Sequence, residues 1–274
     1  MKAVILHDKK EIYSFLKTDI FNRIYSIGDL DDFFWDDTTW FALKENEEIK
    51  SIILLYSGLS LPTLLAITND ILSTEQLLGK IQHLLPNCFY AHLSSGLQDV
   101  LQEKYQLSAH GEHFKMALKN KSKLRNLEKV YKEETRSRNL FKVKPDVIQL
   151  TEKDITDILE LYKTGYPGNW FDERMLKTQK YFGVRQQNRL ISVAGIHVYS
   201  QKYNVAALGN ICTHPDFRGK GFGKAATAKL CKSLLQEIEF IGLNVKADNE
   251  TAISLYEKLG FEIVSSYFEF MVES

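Results

Sequence analysis

Long apolar runs are missing from this sequence. The longest, such as Ile52 to Tyr56 and Ala3 to Leu6, fall far short of the ~20 residues a membrane helix needs, and the N-terminus shows no signal-peptide pattern. An intracellular, cytoplasmic protein with no membrane partner is the expectation. Cysteine is scarce as well: Cys88, Cys212 and Cys231 are odd in number and make no CxxC or zinc spacing, which argues against disulfides and structural zinc. Net charge is absent, with 35 Lys plus Arg against 35 Asp plus Glu. No global field therefore draws the chain to nucleic acid or an anionic surface, and partners must be recognised locally. The 274 residues, 44 % hydrophobic, suffice for about two domains with their own cores.

The second half alternates strand and helix. Val147 to Leu150 reads as a strand, and Thr151 caps a helix with Ile155, Ile158, Leu159 and Tyr162 on one face. Tyr166-Pro167-Gly168-Asn169 breaks that helix ahead of Trp170-Phe171 and a short helical stretch from Asp172. A hairpin follows, Tyr181 to Arg185 and Leu190 to Tyr199 around a polar turn. Val205 to Thr213 is an apolar strand ended by His214-Pro215. Gly223 to Ile238 has helical spacing, Phe240 to Val245 is a strand, Asn249 caps a helix through Leu259, Gly260 terminates it, and Phe261 to Val272 is a closing strand.

The first half repeats this order faintly, with strands at Ala3 to Leu6, Trp40 to Lys44, Ile49 to Leu55, Leu64 to Thr68, Phe89 to Leu93 and Phe114 to Leu118. Helices are expected near Lys9 to Lys17, Thr74 to Leu85 and Leu97 to Tyr105. A tandem repeat of one fold results, the copies ~140 residues apart. The expected division is residues 1–120, a basic linker helix over 121–140, and 141–274. The aspartates Asp29, Asp31, Asp32, Asp36 and Asp37 fit no EF-hand spacing and read as a surface loop anchored by Phe33, Phe34 and Trp35.

The chemistry concentrates in Arg218-Gly219-Lys220-Gly221-Phe222-Gly223-Lys224, between a strand and a helix. Glycines let several N–H groups converge beside the positive end of the helix dipole, a cradle for phosphate or pyrophosphate. The Walker loop requires Ser or Thr after its lysine, whereas Ala225 stands here and the spacing is one residue short. The dinucleotide pattern GxGxxG is not met by Gly219-Lys220-Gly221-Phe222-Gly223 either. In the first half, Asn69-Asp70-Ile71-Leu72-Ser73 stand where the loop would be, so that copy lacks the cradle.

Arg218, Gly221 and Gly223 occupy the coenzyme-loop positions of the GNAT superfamily of N-acetyltransferases, which this half of the chain resembles. The stretch Asn244 to Phe261 is similar to the family's second motif, and the two-domain layout is similar to glycine N-acyltransferase-like proteins. The resemblance implies two tandem α/β (α+β) domains, each a mixed, mostly antiparallel sheet flanked by helices. It implies acetyl-CoA as co-substrate and no metal. Ile211, Cys212 and Thr213 would pair with the pantetheine arm, Arg218, Gly219, Lys220, Gly221, Phe222, Gly223 and Lys224 would hold the pyrophosphate, and Asn249 and Ala252 would touch the coenzyme. Trp170 and Phe171 are assigned to the wall of the acceptor site.

Tyr256 matches the family's general acid. A phenol of pKa ~10 is a weaker acid than a thiol of ~8.5, so full proton transfer is uphill by ~2 kcal/mol and hydrogen bonding to the departing sulfur is the better description. A base is harder to find, because Val205 to Thr213 carries no carboxylate. His197 on the preceding strand is the candidate, acting directly or through water. His214 reads as structural and Cys212 as a small buried hydrophobe. The expected activity is acyl transfer from acyl-CoA to a small-molecule or peptide amine by direct attack, in a monomer or homodimer that binds no nucleic acid. Alternatives are a non-catalytic acyl-CoA-binding regulatory module and an amino-acid N-acyltransferase using longer acyl groups.

Overall fold

The computed structural model describes residues 1–124 and 145–274. Most of the expected linker helix, 121–140, therefore lies outside the described residues. The chain forms two compact units. The first contains Met1–Lys115, Val245–Glu250 and Ile263–Ser274, and the second Met116–Asn244 and Thr251–Glu262. Boundaries at 120 and 141 miss this arrangement: the final twelve residues belong to the first unit, because a strand joins whichever sheet edge accepts its hydrogen bonds, irrespective of sequence distance.

In the first unit, β1 (Lys2–Leu6), β2 (Thr38–Glu45), β3 (Glu48–Tyr56) and β4 (Thr63–Ala66) are successive antiparallel neighbours. β5 (Cys88–Leu93) runs parallel to β4. Helix α1 (Lys9–Leu16) starts on Asp8, whose carboxylate accepts from the Lys10 N–H at 2.7 Å. The expected surface loop around Asp29 is instead two short helices, α2 (Ile24–Gly28) and α3 (Asp32–Trp35). Phe34 is buried and Trp35 stacks on Trp40 at 6.4 Å, so apolar anchoring overrides the polar composition. α4 (Ile71–Ile81) lays Leu77, Leu78 and Ile81 on Phe41, Leu43, Ile53 and Phe89. Each such side chain contributes about 2 kcal/mol on burial. The helix expected over Leu97 to Tyr105 shortens to α5 (Gln98–Gln102). β6 (Gln106–Leu118) begins eight residues before the expected Phe114, since its first half is polar and alternation there is weak.

The second unit begins with β7 (Val147–Gln149), α6 (Ile155–Gly165), β8 (Phe182–Gln186) and β9 (Arg189–Ser200). The hairpin turn at Gln187 and Asn188 takes φ of 47° and 64°, the left-handed pair that suits a two-residue connection. β10 (Val205–Thr213) is antiparallel to β9, and β11 (Phe240–Lys246) is parallel to β10. Between them lies α7 (Phe222–Leu234). α8 (Glu250–Leu259) ends at Gly260, which has the expected positive φ, 102°, and β12 (Phe261–Glu273) follows. α6 and α7 lie on opposite faces of this sheet: a Cβ on Gly165 would strike the Cys212 sulfur, whereas one on Gly223 would meet the Thr213 hydroxyl.

Candidate active site

β10 and β11 share a register only from Val205↔Phe240 to Leu208↔Leu243. Beyond that point β10 continues to Thr213 beside β9 alone. The main chain from Asn210 onward thus opens a notch on its β11 side. The divergence has a local cause. The register slips between Gly209 and Cys212, and Asn210 sits at φ 53°, a left-handed kink that Asn tolerates better than other non-glycine residues. Tyr162 of α6 fixes the kink by donating its hydroxyl to the Asn210 carbonyl at 2.7 Å. The Asn210 amide nitrogen donates to the Trp170 carbonyl and the Tyr181 oxygen, each at 3.3 Å. Tyr181 in turn donates to the Ile196 carbonyl at 2.9 Å.

At the open end of the notch stands the glycine loop. Gly219 and Gly221 have φ of 73° and 82°, and nothing lies within 4 Å of where a Gly219 Cβ would be. Gly221 is the N-cap of α7 and brings no side chain to it. The N–H groups of a first helical turn have no carbonyl one turn back, so the positive end of this helix faces the loop. Arg218 reaches back rather than out: its Nε donates to the Thr213 carbonyl at 3.1 Å and its NH2 to the Gly165 carbonyl at 3.0 Å, tying loop, strand and helix together. Lys220 folds onto the Asp216 carbonyl at 2.9 Å and over the Phe217 ring.

Tyr256 of α8 is buried, edge-on to Phe261 at 5.9 Å. Burial pushes its pKa up, and the proximity of Tyr166 adds to the effect. It is a proton holder at neutral pH. The Cys212 thiol is pushed up to about 11 by burial, with Arg218 pulling weakly the other way, so it stays protonated and is no nucleophile. His197 lies flat over Gly209, where a Cβ would collide with its ring. His214 is buried, its Nε2 facing Arg189 at 2.9 Å. Its Nδ1 accepts the Asp216 backbone N–H at 3.3 Å, which caps the short turn Pro215–Phe217. Phe171 packs between Tyr162 and Tyr181, at 5.5 and 5.6 Å. Asn249 donates its N–H to the Lys246 carbonyl at 3.0 Å just ahead of α8, and Ala252 lies in the first turn of that helix.

The structure thus gathers Ile211, Cys212, Thr213, the 218–224 loop, Trp170, Phe171, His197 and Asn210 around one strand end. Tyr162, Tyr181, Asn210 and Asn244 were not singled out in the sequence; a polar Asn inside the otherwise apolar run Val205 to Thr213 was the available signal for the kink. Among the described residues no group of three His, Cys, Asp or Glu side chains could hold a metal ion, and no helix is long and apolar enough to cross a membrane.

Residues 148–261 match the family model described as acetyltransferase (GNAT) family. An acetyltransferase of Sodalis glossinidius (strain morsitans) is 43 % identical over 54 residues, 19 % of this chain and 38 % of its own. A mycothiol acetyltransferase of Corynebacterium jeikeium (strain K411) is 46 % identical over 55 residues, 20 % of this chain and 16 % of its own. The chain therefore spans well under half the length of these curated relatives. In fold, a tandem GNAT protein from the clavulanic acid biosynthesis pathway is similar over 98 % of this chain and 97 % of its own, with a TM-score of 0.58 at 11 % identity. It is residues 148–261, the stretch that holds the notch and the glycine loop, that resemble the acetyltransferase (GNAT) family.

Proposed function

We propose that the second unit is an acyl-CoA-dependent N-acyltransferase that moves an acetyl or other short acyl group to a small-molecule or peptide amine. The observation that carries this reading is the meeting of two features at one strand end. β10 leaves β11 after Leu208, and the uncapped, glycine-led start of α7 follows within fifteen residues. The first offers main-chain groups of Ile211 to Thr213 to an extended, amide-bearing arm, as an open strand edge does. The second offers an N–H cradle to a pyrophosphate. Lys220 and Lys224 supply charge there, while Arg218 shapes the loop through its carbonyl contacts. Asn249 and Ala252 take places beside the arm.

Acetyl-CoA supplies the thioester: the amine nitrogen bonds to the acyl carbon, the C–S bond breaks, and one proton passes from nitrogen to sulfur. His197 receives that proton, directly or through water, and the Tyr256 hydroxyl donates a hydrogen bond to the departing sulfur. The raised Tyr256 pKa makes stabilisation, rather than outright proton donation, its part. Trp170 and Phe171 wall the acceptor. A non-catalytic coenzyme-binding module is the second reading, favoured by the lack of any carboxylate on β10. Calorimetry with CoA, followed by thiol release from acetyl-CoA across a panel of amines, tests both. Binding with turnover supports the enzyme, binding without turnover leaves the module, and no binding at millimolar CoA defeats both.

A further inference from the structure

Two buried side-chain oxygens in the described residues have no hydrogen-bond partner, Asn210 Oδ1 and Asn244 Oδ1. A buried polar atom left unpaired costs about 1–3 kcal/mol, so two are unusual and two in one place more so. They are in one place. Asn244 is the first residue of β11 beyond the last paired position, Leu208↔Leu243, and Asn210 is the second of β10 beyond it. Both flank the vertex of the notch, deeper than the Ile211 to Thr213 edge.

They also share a face. One register step past Leu208↔Leu243, Asn244 falls beside Gly209, on the side of the sheet where His197 covers Gly209. Asn210 turns to that same side, since its amide nitrogen meets the Tyr181 oxygen and Tyr181 covers Gly195, the antiparallel partner of Gly209. With the amide nitrogen of Asn210 committed to Trp170 and Tyr181, its oxygen is fixed as an acceptor.

We propose that Asn210 and Asn244 are the specificity residues of the acceptor site, taking the two N–H bonds of a neutral primary amine and leaving its lone pair for the thioester. This rests on the acyltransferase reading of the site. The arm of the coenzyme lies along Ile211 to Thr213 toward the loop, so its sulfur end reaches the vertex, where the nucleophile has to arrive. An amide oxygen accepts an N–H but neither takes a proton at neutral pH nor offsets a full positive charge. Among the described residues, the titratable groups around the vertex are Tyr162, Tyr166, Tyr181, His197, Cys212 and Tyr256, with Asp172 acting on Tyr181 and Arg218 on Cys212; Asp172 is paired with Arg174, and Arg218 is bound to the Thr213 and Gly165 carbonyls. Burial keeps Tyr162, Tyr181, Cys212 and Tyr256 protonated and uncharged. The site is therefore built for amines that are substantially free base near neutrality, such as α-amines of pKa near 8, and against lysine-type amines of ~10.4.

The test uses the full chain, with glycinamide as the low-pKa probe and n-butylamine as the high-pKa probe. Thiol release from acetyl-CoA is followed from pH 6 to 9, and each amine is also titrated calorimetrically into the CoA-saturated protein. In the wild type, the amine response should rise with pH along the free-base fraction of each probe. Asn244→Leu should weaken the response to glycinamide at least tenfold while the Kd for CoA stays within about twofold. Asn244→Asp, nearly isosteric, should shift preference toward n-butylamine at least tenfold at pH 7, because a carboxylate can pair with an ammonium. Unchanged amine ranking in both variants, or no amine binding to the CoA-loaded chain, overturns the proposal. An equal loss of CoA affinity in Asn244→Leu also overturns it, by assigning the oxygens to the coenzyme arm. Failure of the wild type to bind CoA at all instead strikes the acyltransferase reading. Melting curves of both variants exclude a folding defect as the source of any loss.

Discussion

Two helices lie between the strands of a parallel pair, α4 between β4 and β5 and α7 between β10 and β11, and their first turns are finished in opposite ways. α4 begins on Asp70, whose carboxylate accepts from the Ser73 N–H at 3.1 Å and is held below the usual carboxylate range by Ser73. α7 begins on Gly221, in left-handed backbone, with no capping side chain. The strands before them differ in the same sense. Next to β4, Ser94 donates its N–H to Ala66, accepts from the Thr68 N–H at 2.9 Å and donates to the Thr68 carbonyl at 3.1 Å, so the edge is stitched where β10 and β11 open. An anion site needs an N–H cradle without a resident anion, and a ligand-pairing edge needs unspent groups. The first unit has filled both with its own side chains.

The sharpest way to break this contrast is to give the second unit the first unit's cap. Gly221→Asp places a carboxylate at the start of α7 and adds about 1–2 kcal/mol of left-handed strain. CoA affinity should fall about a thousandfold, measured by calorimetry, and Gly221→Asn, which tolerates the backbone without the charge, should fall much less. A comparable loss in both would assign the effect to backbone strain.

Acid should separate the units next. On β5 and β12, Glu269 accepts from the Tyr90 and Tyr267 hydroxyls at 2.6 and 2.7 Å, and its oxygens lie 3.4 Å from His92 and from His113. Burial lowers the His92 pKa to about 4 from 6.5, outweighing the attraction of Glu269. The unfolded state therefore binds more protons between those values, and stability falls as pH drops from about 6.5 to 4, by about 3 kcal/mol. Glu269, itself held below its ordinary range although burial opposes this, adds loss in the same direction at lower pH. Urea unfolding at pH 7 and pH 4.5 should show the drop, and His92→Gln should flatten it. An equal slope in that variant assigns acid lability elsewhere.

Tyr256→Phe comes third. It keeps the ring against Phe261 and removes only the hydroxyl, so thiol release should slow about a hundredfold with CoA affinity unchanged. Turnover within twofold of wild type would make Tyr256 a packing residue. The smallest effect belongs to Ser94→Ala, which should cost the first unit about 1 kcal/mol in denaturant unfolding. It should create no second coenzyme site, since Asp70 still occupies the helix start.

Much of the second unit was legible in the sequence because glycine, proline and apolar period act locally: the hairpin turn, the loop between strand and helix, and the Gly260 terminator all lie where such signals place them. The kink at Asn210 was not, because its cause is a set of contacts from Tyr162, Trp170 and Tyr181, each far away in sequence. The helices α2 and α3 were hidden by five aspartates, one of which, Asp29, is buried with its pKa raised by burial to about 8. The partner of β5 could not be read either, since strand composition carries no address.

That last pairing sets an order on synthesis. Val272 lies opposite Phe89, and the Cys88 thiol lies within reach of the Glu273 carboxylate across 185 residues of chain. A nascent chain emerges at about 5–20 residues per second, N-terminus first. β5 consequently leaves the ribosome ten seconds or more, in order of magnitude, before the strand that completes its sheet exists. Through that interval its Phe89, Ala91 and Leu93 side chains have α4 to cover them, but its outer hydrogen-bonding edge stands open until β12 has emerged.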